Sequence, residues 1–163
     1  MTAPSPLALS PTDLADLTRH HAELFRAGAY PHVAFTPGHR WHRRIVRDAR
    51  ADVWLITWLP SQATELHDHG ESQGAFTVVT GSLTELAPRR TVGGWRLNGT
   101  VRTAGASVHF GSDHVHDVVN RHAEPAVSVH AYSPPLTLMR YYRYAPDGLS
   151  VDRVVSTDDP EAA

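Results

Sequence analysis

From about residue 42 onward the chain is broken by a turn signal roughly every eight to twelve residues, and between the breaks it runs in short stretches rich in Val, Ile, Thr, Trp and Tyr. Eight or more such stretches constrain the fold to an all-β sandwich or barrel. The candidates are RIVRDA (44–49) and ADVWLITWL (51–59), separated by a turn at Asp48-Ala49-Arg50. GAFTVVTGSLTELA (74–87) reads as a hairpin about Gly81-Ser82, and WRLNGTVRTA as one turning at Asn98-Gly99. SVHF (107–110), HVHDVVN (114–120), AVSVHAY (126–132) and TLMRYYRYA (137–145) follow, with a turn at Pro146-Asp147-Gly148.

One helix precedes the strands. Ser10-Pro11-Thr12-Asp13 carries a cap, a proline in the first turn and an acid after it. Leu14, Leu17, His21 and Leu24-Phe25 then recur at spacings of three and four, which predicts an amphipathic helix over about 11–27. Residues 1–10, with Pro4 and Pro6, read as a disordered lead-in. Residues 11–155 read as one domain with its barrel over about 40–155, and the acidic stretch 156–163 as a frayed tail.

Composition narrows the function classes. The 163 residues suit one domain with a full core. Fifteen Arg, with no Lys, against 17 Asp and Glu give a net charge of −2, which argues against a nucleic-acid binder held by a basic patch. The absence of Cys excludes a disulfide framework, a Cys-ligated zinc site and a Cys nucleophile. The first residues have no basic stretch of the signal-peptide kind, and no apolar run approaches the roughly 20 residues of a membrane span. The expectation is a cytoplasmic protein without membrane or nucleic-acid partners, a monomer or weak homo-oligomer.

Histidine is the unusual residue, at 12 positions. His67-Asp68-His69 places two imidazoles on one side of an extended segment, able to converge on one ion. A second cluster spans Gly105 to Asn120 and contains His109, His114 and His116. Together the two stretches resemble the paired motifs of the cupin superfamily, small β-barrels or jelly rolls that hold a metal. The resemblance supplies His67 and His69 from the first motif, and Gly105, His116 and Asn120 from the second. His114 is a rival ligand two residues away; the spacing to Asn120 favours His116. Most metal-binding cupins add a Glu after three or four intervening residues beyond the second histidine, where this chain has Gln73 and Gly74. The inferred ligand set is three neutral imidazoles, and ligand count alone does not choose between zinc and iron.

The order HRRIV (42–46), HDHGESQGAF (67–76), HDVVN (116–120) and EPAVSVHAYSPPL (124–136) is similar to that of the cysteine dioxygenase family, the thiol dioxygenase branch of the cupins. The resemblance covers about residues 40–142. It implies an Fe(II) cofactor held by His67, His69 and His116, and a substrate carboxylate bound by Arg43. It also implies a hydrogen-bonded relay of Ser128, His130 and Tyr132, whose tyrosine hydroxyl reaches the bound thiol, and a cis bond at Ser133-Pro134. The strand period agrees for the trio, since Ser128, His130 and Tyr132 alternate onto one face. Arg43 alternates with Ile45 on a face expected to turn inward, where a guanidinium suits a carboxylate. Members from animals carry a cysteine, crosslinked to the tyrosine, at the position of Gly74, so Tyr132 is uncrosslinked here.

The implied reaction converts L-cysteine and O₂ to cysteine sulfinate. Three neutral ligands leave an Fe(II) charge uncompensated, which draws an anionic thiolate. Related mercaptopropionate dioxygenases carry Gln where this chain has Arg43, so 3-mercaptopropionate or another small thiol is the near alternative. A zinc or nickel cupin hydrolase or isomerase, and a non-enzymatic metal-binding ligand sensor, are the more distant ones.

Overall fold

The computed structural model describes residues 7–156, which form one helix and ten strands. Helix α1 (Pro11–Arg26) begins as its sequence predicts. The Ser10 hydroxyl accepts from the Asp13 amide and the Asp13 carboxylate accepts from the Ser10 amide, a reciprocal capping box. Of the expected lead-in, residues 1–6 lie outside the described residues, whereas Leu7–Ser10 are fastened. The Leu9 amide donates to Ser133 Oγ at 2.8 Å and the Leu9 side chain packs into the apolar layer beneath the helix. Of the expected tail, Ser156 ends the last strand and residues 157–163 lie outside the described residues. Among the described residues no helix is long and apolar enough to cross a membrane.

The strands are β1 (His42–Arg47), β2 (Asp52–Trp58), β3 (Gln73–Thr80), β4 (Ser82–Thr91), β5 (Gly94–Thr103), β6 (Ser107–Phe110), β7 (Asp117–Val119), β8 (Ala126–Ser133), β9 (Leu138–Ala145) and β10 (Gly148–Ser156). They form a five-stranded sheet in the order β1-β2-β8-β3-β6, a three-stranded sheet β5-β4-β7 and a two-stranded ribbon β10-β9. The sheets are not closed into a continuous barrel; they pack face to face as a jelly roll. Strands β2 and β8 are buried along their whole length because both faces of the large sheet are covered. One face carries Val53, Leu55, Val127, Val129 and Ala131 against α1. The other carries Trp54, Ile56, Trp58, Phe76 and Tyr132 against the smaller sheets.

Two turn readings change. Gly81 (φ +73°) is not a hairpin tip but the corner where the chain leaves one sheet for the other, since β3 pairs with β6 and β8 while β4 pairs with β5 and β7. A Cβ there would lie 2.5 Å from the Pro125 carbonyl, so the close approach requires glycine. Asn98-Gly99 lies inside β5, in unbroken register with Ala87 and Leu86 of β4. The ten-residue ladder outweighs the local turn preference, and the chain reverses instead at Val92-Gly93. The turn at Pro146-Asp147 stands as read, and it leads into β10, a strand missed in the sequence because its side chains are mostly exposed.

Asp52 opens β2 on the inner face with no solvent exposure. Its Oδ2 accepts from the Leu136 amide at 3.2 Å, while Oδ1 has no hydrogen-bond partner. Burial raises its pKa to about 6, outweighing that amide and the nearby Arg47 and Arg44. The folded value thus lies above the unfolded one of about 3.9, so the native state binds the proton more tightly and stability falls as pH rises between the two. Asp52→Asn should therefore raise the unfolding free energy by roughly 2–3 kcal/mol at pH 7.5. At pH 3.5 the gain should vanish. Urea titrations at the two pH values measure the difference; an equal gain at both would mean the burial of the charge is not its source.

Candidate metal centre

The HDHG segment is not part of a regular strand. His67 bridges the two halves of the roll, exchanging backbone hydrogen bonds with His116 at 2.9 and 3.0 Å and lying in bridge register with Tyr141 of β9. Asp68, between the two histidines, turns the opposite way and pins the segment to β9. Its carboxylate accepts from Arg140 Nη1 at 2.9 Å, Tyr142 Oη at 2.6 Å and the Gly70 amide at 3.0 Å. That anchoring sends the flanking side chains of His67 and His69 to one side, where they meet His116 just before β7.

All three rings are buried, with centroids 4.8–5.1 Å apart, and one nitrogen from each lies within 4.8 Å of the others. Burial holds the pKa of all three imidazoles down, so they are neutral. His67 Nδ1 faces the Glu65 carbonyl at 2.8 Å. A carbonyl only accepts, so the proton sits on Nδ1 and Nε2 presents a lone pair. His116 Nδ1 faces Glu85 Oε1 at 3.0 Å, with the same consequence for its Nε2. His69 Nδ1 has no partner; the ring is held instead between Phe110 (centroids 5.0 Å) and Tyr132 (4.9 Å), with Nε2 3.1 Å from His67 Nε2. His67 Nε2 and His116 Nε2 thus present lone pairs, His69 Nε2 does so in its Nδ1-protonated tautomer, and a cation among the three nitrogens would satisfy all of them. The donor set fits a divalent transition metal such as iron.

The inner face of β8 contributes the rest. The Trp58 indole donates to Ser128 Oγ at 2.8 Å, and Ser128 Oγ lies 2.8 Å from His130 Nε2. Burial lowers the His130 pKa to about 3, so this histidine is also neutral. The Ser128 hydroxyl thus links the Trp58 indole to the His130 ring in one hydrogen-bonded chain. A cavity of about 10 Å³, room for about one water, is lined by His67, His116, His130, Tyr132, Ile56 and Thr64. Thr64 also lines an open cleft of about 610 Å³, together with Arg40, His42, Gln62 and Glu65.

The structure thus brings together His67, His69, His116, Ser128, His130 and Tyr132. It does not bring Arg43 with them. Arg43 lies in register with Leu55 on the helix side of the sheet, donates from Nη1 to the Pro31 carbonyl at 3.0 Å, and covers Tyr30 and Trp41. Ile45, the residue that suggested an inward face, packs under α1. With apolar layers on both sides of the sheet, an alternating Ile does not mark the inner one. A half-buried cation on the cleft side of the centre is Arg40. Its guanidinium stacks on Trp58 at 5.1 Å, lines the cleft, and is close enough to His67 and His130 to disfavour their protonation. His114 is likewise outside the three-nitrogen cluster, with Nε2 3.0 Å from Glu85 Oε1. Glu85, missed in the sequence, sits at a period-two position after inward Leu83 in SLTELA, and that alternation was the signal that could have found it.

Gly74 lies in register with Tyr132, and a Cβ there would lie 2.6 Å from Phe110 Cζ and 3.1 Å from Tyr132 Cδ1. Phe110 fills the space that a side chain at 74 would need. Gly74→Cys should cost roughly 1–3 kcal/mol of stability by overpacking, and form no Cys–Tyr bond in the intact-mass spectrum. A variant as stable as the parent would show that Phe110 yields.

A jelly roll with three buried histidines converging from its two motifs defines a metal-binding cupin. Solved structures agree on the fold. A double-stranded β-helix protein from Klebsiella pneumoniae is 19% identical, with a TM-score of 0.52 over 74% of this chain and 90% of its own. An RmlC-like cupin from Desulfovibrio desulfuricans is 15% identical, with a TM-score of 0.54 over 65% of this chain and 92% of its own. The family model for cysteine dioxygenase type I matches residues 29–145, and the chain belongs to that family.

Proposed function

We propose that the protein is an Fe(II)-dependent dioxygenase that converts L-cysteine and O₂ to cysteine sulfinate. The observation that carries the reading is the convergence of three neutral, buried imidazole nitrogens without a carboxylate among them, in a chain of this family. His67, His69 and His116 would hold the iron, which when bound supplies the activation of dioxygen and the attraction for an anionic sulfur.

The chain's own residues orient and shield. Arg40 is the residue we assign to the substrate carboxylate, since it lines the open cleft that shares Thr64 with the small cavity at the histidines. Neutral His130, held through Ser128 by the Trp58 indole, keeps a polar group beside Tyr132 on the same strand face. The Tyr132 hydroxyl is the donor we assign to the reacting sulfur. Phe76, Phe110 and Ile56 wall the space against water. Arg43 was the residue that favoured an amino-acid substrate over 3-mercaptopropionate, and its outward position leaves that preference to be measured.

The test is oxygen uptake by the Fe(II)-loaded protein over a panel of L-cysteine, 3-mercaptopropionate and cysteamine. The expected order has L-cysteine fastest, with cysteamine, which lacks the carboxylate, slow at any concentration reached. Turnover of 3-mercaptopropionate above L-cysteine would move the substrate to the alternative, and no uptake with any thiol would remove the dioxygenase reading.

A further inference from the structure

The chain lacks the glutamate that many cupins place beside the first two histidines, yet a carboxylate reaches the centre from another strand. Glu85, on β4 of the three-stranded sheet, is 4% exposed. Its Oε1 accepts from His116 Nδ1 and from His114 Nε2, each at 3.0 Å. Its Oε2 accepts from Arg102 Nε at 3.1 Å and Nη2 at 2.8 Å, a two-pronged contact from neighbouring β5. Four donors thus fix one carboxylate in orientation, and that carboxylate faces the far nitrogen of His116.

The three histidines are held unequally. His67 rests on a neutral carbonyl, His69 has no hydrogen bond at Nδ1, and His116 rests on an anion. A carboxylate behind a ligating imidazole fixes its tautomer, restricts its rotation and raises its basicity. It also sets a negative charge one ring away from the ion while leaving the ion's own positions open. Removing such a partner characteristically weakens metal binding 10- to 100-fold.

We propose that Glu85, gripped by Arg102 and shared with His114, is the positioning residue of the metal centre: it orients His116 and sets its basicity from outside the ligand set. The proposal rests on the three-histidine metal centre described above. Glu85, His114 and His116 also lie close enough together to hold an ion themselves, but Arg102 occupies the second carboxylate oxygen, so the geometry favours a support over a second site.

The experiment uses Co(II) as the probe, with affinity read by chelator competition and coordination by the visible absorption spectrum. Glu85→Gln, Glu85→Asp and His67→Ala are compared with the parent. The parent should bind one equivalent, and His67→Ala should lose it. Glu85→Gln and Glu85→Asp should weaken binding roughly 10- to 100-fold and shift the spectrum, while the metal-free proteins keep the parent circular dichroism. Arg102→Met, which frees the carboxylate without removing it, should weaken binding less than Glu85→Gln, and it carries the test if neither Glu85 variant folds. Unchanged affinity and spectrum in the Glu85 variants, or in Arg102→Met where it stands alone, would overturn the positioning role while leaving the centre intact. A second equivalent in the parent that disappears in His114→Ala would overturn it too, since Glu85 would then be a ligand. No binding by the parent would instead remove the metal centre on which the proposal stands.

Discussion

Replacing His116 by alanine should give a protein that folds, loses more than about 100-fold in metal affinity and turns over no thiol. The ring is buried at 2% exposure, and its two nitrogens do separate work: one faces Glu85 and the other the centre. Alanine deletes a third of the donor set at a stroke. The backbone consequence should be small, because the exchange of hydrogen bonds between residues 67 and 116 uses main-chain atoms that alanine retains. Metal binding also stabilises the folded state by mass action, about 2.7 kcal/mol when free metal stands at 100 times its Kd. The parent should therefore show that rise in unfolding free energy with added Fe(II) under anaerobic conditions, and His116→Ala should show at most about 0.4 kcal/mol at the same concentration. His114→Ala separates the two candidates for this ligand: a loss of metal as deep as that of His116→Ala would reverse the assignment.

The second large effect concerns the arginines. Arg40→Ala should raise KM for L-cysteine roughly 10- to 100-fold, the value of a charge-assisted pair in a partly dry cleft. Arg43→Ala should leave KM unchanged and show itself in stability, since it loses a hydrogen bond to the Pro31 carbonyl and its cover over Tyr30 and Trp41. Steady-state kinetics on the two variants decide between them. A large KM effect from Arg43 with none from Arg40 would mean that β1 presents its other face during catalysis.

These two cases mark how far the sequence could be read. The helix from Pro11 was legible because Ser10 and Asp13 form a local signal whose hydrogen bonds span three residues. The inward trio on β8 was legible because a strand has period two and the motif fixed its phase. Arg43 was misread because β1 lies in a sheet with apolar layers on both faces, so Ile45 could belong to either. Asn98-Gly99 was misread because a local turn preference of that kind yields to a long ladder, whose partner strand lies elsewhere in the chain. Glu85 escaped for a related reason. Its partners His114, His116 and Arg102 lie 17 to 31 residues away, and only the pairing of β4 with β5 and β7 brings them together.

In the proposed reaction both oxygen atoms of O₂ enter the sulfur of a small thiol at this three-histidine centre. The direct measurement is a single-turnover reaction of the Fe(II)-loaded protein with L-cysteine under ¹⁸O₂, with the product resolved by mass spectrometry. The expected product is cysteine sulfinate carrying label at both sulfinate oxygens in the parent, and no sulfinate from His116→Ala. A sulfinate with one oxygen from water, or cystine as the sole product with the iron retained, would contradict it.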